Sequence, residues 1–129
     1  MEDKKLPKII QEVGFDFSWD ERKVWALNFP IEEISLSELV WHFEIPFWSV
    51  GEAIYNLSPN QVISDPDTYQ LEYNRTMGSD LLYPIDIMEN KGRWLILNGL
   101  HRLVKAKILG HKKVNVHKIP RTEIPNIIK

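Results

Sequence analysis

From Arg93 to Ile108 the chain reads Arg-Trp-Leu-Ile-Leu-Asn-Gly-Leu-His-Arg-Leu-Val-Lys-Ala-Lys-Ile, and this stretch restricts the fold more than any other. The spacing predicts a hydrophobic strand over 93–97, a tight turn at Asn98-Gly99, and a helix from about Gly99 to Leu109. Leu100, Leu103, Val104 and Ile108 fall at core spacing on that helix, and Gly110 reads as its stop. A strand that breaks at glycine straight into a helix leaves the first backbone N–H groups of the helix unpaired, and the helix dipole adds partial positive charge there. His101 and the Arg102 guanidinium sit in that first turn. All of these contributions converge on one point, and the occupant that fits is a phosphate.

The flanking segments predict the rest of a sheet. Tyr83-Pro-Ile-Asp-Ile-Met88 reads as a strand and Glu89-Asn-Lys-Gly92 as the turn that returns it into 93–97, giving a hairpin. Val114 to Ile119 reads as a further strand ended by Pro120. Upstream, Ile9, Ile10 and Val13 share a helical face before Gly14, and Phe29 to Ile34 is an extended entry followed by a single helical turn at Leu36–Leu39. Phe15-Asp-Phe-Ser-Trp19 alternates strictly, and with Val24-Trp-Ala-Leu27 beyond the polar Asp20–Lys23 it predicts a second, accessory hairpin. Trp41 to Trp48, aromatic-rich and broken by Pro46, reads as a packing loop. Ser58-Pro-Asn-Gln61 fits a capping box with proline at the first helical position. Asp65-Pro66 reads as the start of another helix, with Tyr69, Tyr73 and Thr76 or Met77 facing inward and Gly78 as its end. The expected architecture is α+β, a small mixed sheet packed with helices. It forms one domain over residues 1–129, in which 1–28 are an accessory helix and hairpin.

Composition narrows the function classes. The chain has 129 residues and no cysteine, which excludes thiol catalysis, Cys-ligated zinc and a disulfide scaffold. The charged start Met1–Pro7 is no signal peptide and no run is long enough to span a membrane, so a cytoplasmic protein is expected. The net charge of −2 hides an asymmetry. Residues 1–90 carry 6 Lys/Arg against 17 Asp/Glu, or −11, and residues 91–129 carry 10 Lys/Arg against one acid, Glu123, or +9. Either the two parts neutralise each other by packing, or the basic third forms a pocket wall that draws an anion.

Three blocks, taken in order, resemble the ParB/sulfiredoxin superfamily. They are Phe29-Pro-Ile-Glu-Glu-Ile-Ser-Leu-Ser-Glu-Leu39, Tyr83-Pro-Ile-Asp-Ile87, and Asn98-Gly-Leu-His-Arg102 continuing to Gly110. The third is similar to the family's D-G-x-H-R signature, and the match covers about two-thirds of the chain. The resemblance implies a ParB/sulfiredoxin-like nucleotide-binding fold whose phosphate-binding turn holds CTP in ParB proteins, ATP in sulfiredoxins, and the nucleotide in ADP-dependent free-serine kinases. On that pattern Gly99, His101 and Arg102 are the phosphate ligands, with Asn98 at the signature's first position. His42-Phe-Glu44 falls near the serine-kinase carboxylate, which makes Glu44 the candidate general base or Mg²⁺-associated group. Leu100 stands where sulfiredoxins carry their nucleophilic cysteine, so that chemistry is excluded. No helix-turn-helix follows, so a complete DNA-partition protein is not expected. Asn98 in place of aspartate removes a negative charge that metal or proton handling would use, while phosphate binding needs no carboxylate there.

Each candidate has a purely structural alternative. Asn98-Gly99 serves equally as a plain strand-to-helix turn, and Arg102 as the partner of an acid from the first ninety residues. His101 caps backbone or donates to the anion; it is no metal ligand without a second histidine at helical spacing. Lys105 shares a helical face with His101 and Arg102, or simply a solvated side. Asp80 and Arg75 flank the Pro-Ile strand and either line the cleft or pair with each other. Trp41, Phe43, Phe47 and Trp48 form a core lid, or one of their rings stacks on a base. The functional expectation is a nucleotide-binding domain, with Mg²⁺ bridging the phosphates if it is an ATP-, ADP- or CTP-dependent phosphotransferase or nucleotide hydrolase. Two alternatives use the same fold. One is a non-catalytic DNA- or RNA-binding module, the other a protein-interaction or regulatory subunit whose contact patch is the aromatics around Trp48. Self-association as a homodimer is left open by the sequence.

Overall fold

In the computed structural model residues 7–51 and 55–129 are described, so the charged start at 1–6 lies outside the described residues. The strands are β1 (Ile31–Ser35), β2 (Ile85–Asn90), β3 (Arg93–Asn98) and β4 (Lys113–Lys118). The helices are α1 (Lys8–Val13), α2 (Glu21–Trp25), α3 (Pro59–Ser64), α4 (Gln70–Met77), α5 (Leu100–Ile108) and α6 (Ile124–Ile127). Short 3₁₀ turns cover Leu36–Glu38, Val40–Glu44 and Arg121–Glu123.

The predicted hairpin is β2–β3. It closes on Lys91 and Gly92, both at positive φ (52° and 84°), the backbone that a two-residue connection between right-twisted strands requires. The sheet order is β1-β4-β2-β3, with β4 antiparallel to β1 and parallel to β2. The parallel step needs a crossover, which β3 and α5 provide. β2 therefore lies inside the sheet with both faces covered, and five of its six residues are buried. Ile85 and Ile87 join the larger core with Leu103, Val104, Val116 and Leu39, while Met88 turns to the opposite face with Val24, Leu97, Ile119 and Ile127. This is the α+β class expected, a four-stranded mixed sheet with helices. No helix among the described residues is long and apolar enough to cross a membrane.

Several expected elements fold differently. The accessory hairpin at 15–27 is absent. The Asp20 carboxylate accepts from the Arg22 amide at 2.9 Å and starts α2, so the polar segment nucleates a helix instead of a turn. Trp19 pairs instead with Ile128, and Phe15, Phe17 and Trp19 gather into one ring cluster with centroids 5.0–6.0 Å apart. Asp65-Pro66 opens a turn, with Asp65 Oδ1 accepting from the Thr68 amide at 3.3 Å, and α4 begins only at Gln70. The first half of the supposed loop at 41–48 is the 3₁₀ turn Val40–Glu44. The C-terminal α6, with Ile127 fully buried, is absent from the sequence reading.

Candidate functional site

The turn between β3 and α5 is held open by glycine. Gly99 has φ +114°, and a Cβ there would lie 3.2 Å from Ile85 Cγ2 and 3.3 Å from the Arg102 guanidinium carbon. Both the backbone conformation and the packing demand that residue. The first bond of α5 runs from the Leu103 amide to the Gly99 carbonyl at 3.0 Å, so the amides of Leu100, His101 and Arg102 precede the helical ladder. No side chain caps them. Asn98, Gly99, Leu100 and His101 line a groove of about 1320 Å³ that also follows Leu95–Leu97 of β3. Aromatic side chains from two segments line it as well, Phe15, Phe17 and Trp19 from one and Phe47, Trp48 and Tyr55 from the other, and so do the acidic residues Asp16, Asp20 and Glu21.

His101 is fixed on two sides. Its Nε2 lies 2.9 Å from Glu72 Oε2, and its ring stacks on Trp48 with centroids 4.6 Å apart and planes 14° from parallel. Arg75 Nη1 donates to the other Glu72 oxygen at 3.0 Å. Glu72 is a buried carboxylate on α4 that sequence reasoning passed over. The signal was present: Glu72 lies three residues after Tyr69 and four before Thr76, on the inward stripe, where an acid needs a partner.

Arg102 departs from the expected arrangement. Its side chain donates from Nη1 to the Pro84 carbonyl and lines a second cavity of about 540 Å³ with Asp80, Asp86, Asn98 and His117, walled by Val24, Leu27 and Pro84. Burial lowers the guanidinium pKa from its ordinary value, against the pull of Asp86, Glu21 and Asp80. With carboxylates on that side, the side chain braces the turn and is not displayed to the groove with His101. The turn thus separates the predicted ligands: Gly99 and His101 face one cavity, Arg102 the other, and Asn98 lines both. A register shift between Asp86 and Ile87 lies beside it, and buried Asp86 accepts from His117 Nδ1 at 2.9 Å.

The remaining candidates have structural partners. Lys105 Nζ donates to the Ser79 carbonyl at 2.7 Å, so it ties α5 to the segment after α4 and lines neither cavity. Arg75 pairs with Glu72, not with Asp80, whose Oδ1 accepts from the Leu82 amide. Glu44 is exposed and lines neither cavity, so the structure does not bring it to the turn. His42 is fully committed: Nδ1 donates to the Leu39 carbonyl at 2.8 Å and Nε2 accepts from the Ile96 amide at 3.1 Å. Burial pushes its pKa down to about 4, with Arg93 adding to the shift and the Leu39 bond opposing it. It therefore has no lone pair for a metal, and no group of three or more metal-ligating side chains occurs among the described residues. Trp48 and Phe43 are core residues, so no exposed patch is centred on Trp48. Set against protein-family models, curated proteins and solved structures, the chain matches none of them.

Proposed function

We propose that the chain is a nucleotide-binding domain of the ParB/sulfiredoxin type, with the phosphates at the start of α5 and the base among the groove aromatics. The observation that carries this reading is the Gly99 turn, whose uncapped helix start opens into a groove large enough for a nucleotide and walled by stacking surfaces. The order of Pro-Ile strand, return strand, glycine turn, helix and closing strand supports it as well. The contacts to phosphate are backbone amides; Arg102 supports them by holding the turn through Pro84. Mg²⁺ would enter on the nucleotide's own phosphates.

A thermal-shift panel of ATP, ADP, CTP and GTP, each with and without Mg²⁺, tests the proposal. The expected result is a rise in Tm with at least one nucleotide that grows with concentration, since a ligand that prefers the folded state stabilises it by mass action. No shift with any of them contradicts it. A nucleic-acid interface is less well supported, because basic side chains of the last third are engaged internally: Lys113 with Glu33, Lys118 with Glu32, and Lys105 with Ser79.

A further inference from the structure

We infer that the groove hydrolyses the nucleotide it holds, with His101 as general base and Glu72 as the residue that positions it; this rests on the nucleotide-binding reading above. The carboxylate of Glu72 accepts at Nε2. In the neutral ring the proton is therefore on Nε2, and the basic lone pair is on Nδ1. That nitrogen has no hydrogen-bond partner within the described residues. The Trp48 stack fixes the ring plane, Trp48 is itself anchored in the core, and Arg75 holds the second oxygen of Glu72. The carboxylate is bound from both ends and cannot swing away without breaking an ion pair. About a third of the His101 side chain is exposed, and the residue lines the groove.

A carboxylate that orients an imidazole, leaving the opposite nitrogen unbonded on a residue that lines the cavity, is the arrangement general-base catalysis requires. No other histidine in the described residues offers it at this groove. His42 lines the groove with both nitrogens bonded, His117 lines the other cavity, and His111 is exposed and lines neither. The lone pair at Nδ1 also means that the neutral ring cannot donate to a phosphate oxygen, so His101 faces the attacking group. Water is that group. Nδ1 takes one proton as the water oxygen bonds to the terminal phosphorus. The bond from phosphorus to the bridging oxygen breaks, its electron pair leaves with the nucleotide shortened by one phosphate, and the proton passes from Nδ1 to solvent as phosphate is released.

The experiment uses the full chain with the nucleotides of the panel and Mg²⁺, following phosphate release and, separately, binding by calorimetry. Wild type should release phosphate. His101→Ala should lose about 100-fold in kcat with little change in Kd, and Glu72→Gln about 10-fold. Imidazole added to His101→Ala should restore part of the rate, which a merely structural histidine would not allow. Nucleotide that binds wild type without turnover overturns the inference and leaves the binding reading standing. So does an unchanged rate in either variant, or a His101→Ala rate that imidazole does not move. Absence of binding by every nucleotide overturns the reading itself.

Discussion

His42 illustrates how a buried side chain acquires its protonation state from its partners. Both ring nitrogens are bonded, one donating to Leu39 and one accepting from Ile96, so adding a proton would set N–H against N–H at Ile96. Its pKa in the fold is about 4 against the ordinary 6.5. The neutral form is favoured by folding, so this stability is fully present above pH 6.5 and is lost as pH falls toward 4. The loss amounts to roughly 3 kcal/mol by linkage. Urea unfolding of wild type and His42→Gln across pH 4–7 checks this: the wild-type midpoint should fall more steeply, and parallel slopes would refute it. At this scale the site was half legible. Gly99 and His101 could be read from the motif, because a turn between strand and helix needs glycine and a helix start exposes amides. The Arg102 direction could not, since it depends on where the Pro84 carbonyl and the Asp86 carboxylate arrive from β2, many residues away. Glu44 was misplaced for the same reason: only packing, not spacing, decides whether a loop carboxylate reaches a turn.

At the scale of elements, β3 is an edge strand, and its free side is closed by side chains. Trp41 Nε1 donates to the Trp94 carbonyl at 3.2 Å, His42 accepts from the Ile96 amide, and Trp19 Nε1 donates to the Leu97 carbonyl at 3.0 Å. These bonds occupy backbone groups through which another strand would pair. Trp41→Phe keeps the ring and removes the donor, so it should cost about 1 kcal/mol in chemical denaturation. No loss of stability would mean that water satisfies Trp94 equally well. The capping box of α3 gives a second check. Ser58 Oγ accepts from the Gln61 amide and Gln61 Oε1 from the Ser58 amide, so Ser58→Ala should cost about 1 kcal/mol. A smaller change in the denaturation midpoint would show that the proline at the first helical position suffices. Elements with local signals, such as this helix, the β2–β3 hairpin and α5, were legible for that reason. The 15–27 region was not, because its alternation reflects one cluster of rings on a segment that bridges to Ile128 and not to its sequence neighbour.

Across the whole molecule, the charge asymmetry resolves in part into pairing between the two regions. Lys113–Glu33 and Lys118–Glu32 are ion pairs that stitch β4 to β1, and hydrogen bonds from His117 to Asp86 and from His101 to Glu72 tie β4 to β2 and α5 to α4. The consequence is weak attraction for polyanions. Binding to duplex DNA should be undetectable at physiological salt in a fluorescence-anisotropy titration; tight binding with a steep salt slope would contradict this. At the candidate site the positive contribution is local, from the unpaired amides at the head of α5. The most direct test of the account is therefore an NMR titration of the ¹⁵N-labelled protein with the nucleotide that gives the largest thermal shift. The amides of Leu100, His101 and Arg102 should move furthest, followed by the indole signals of Trp19 and Trp48. Shifts confined to Asp80, Asp86 and His117 in the second cavity, or no shifts at the turn, would contradict it.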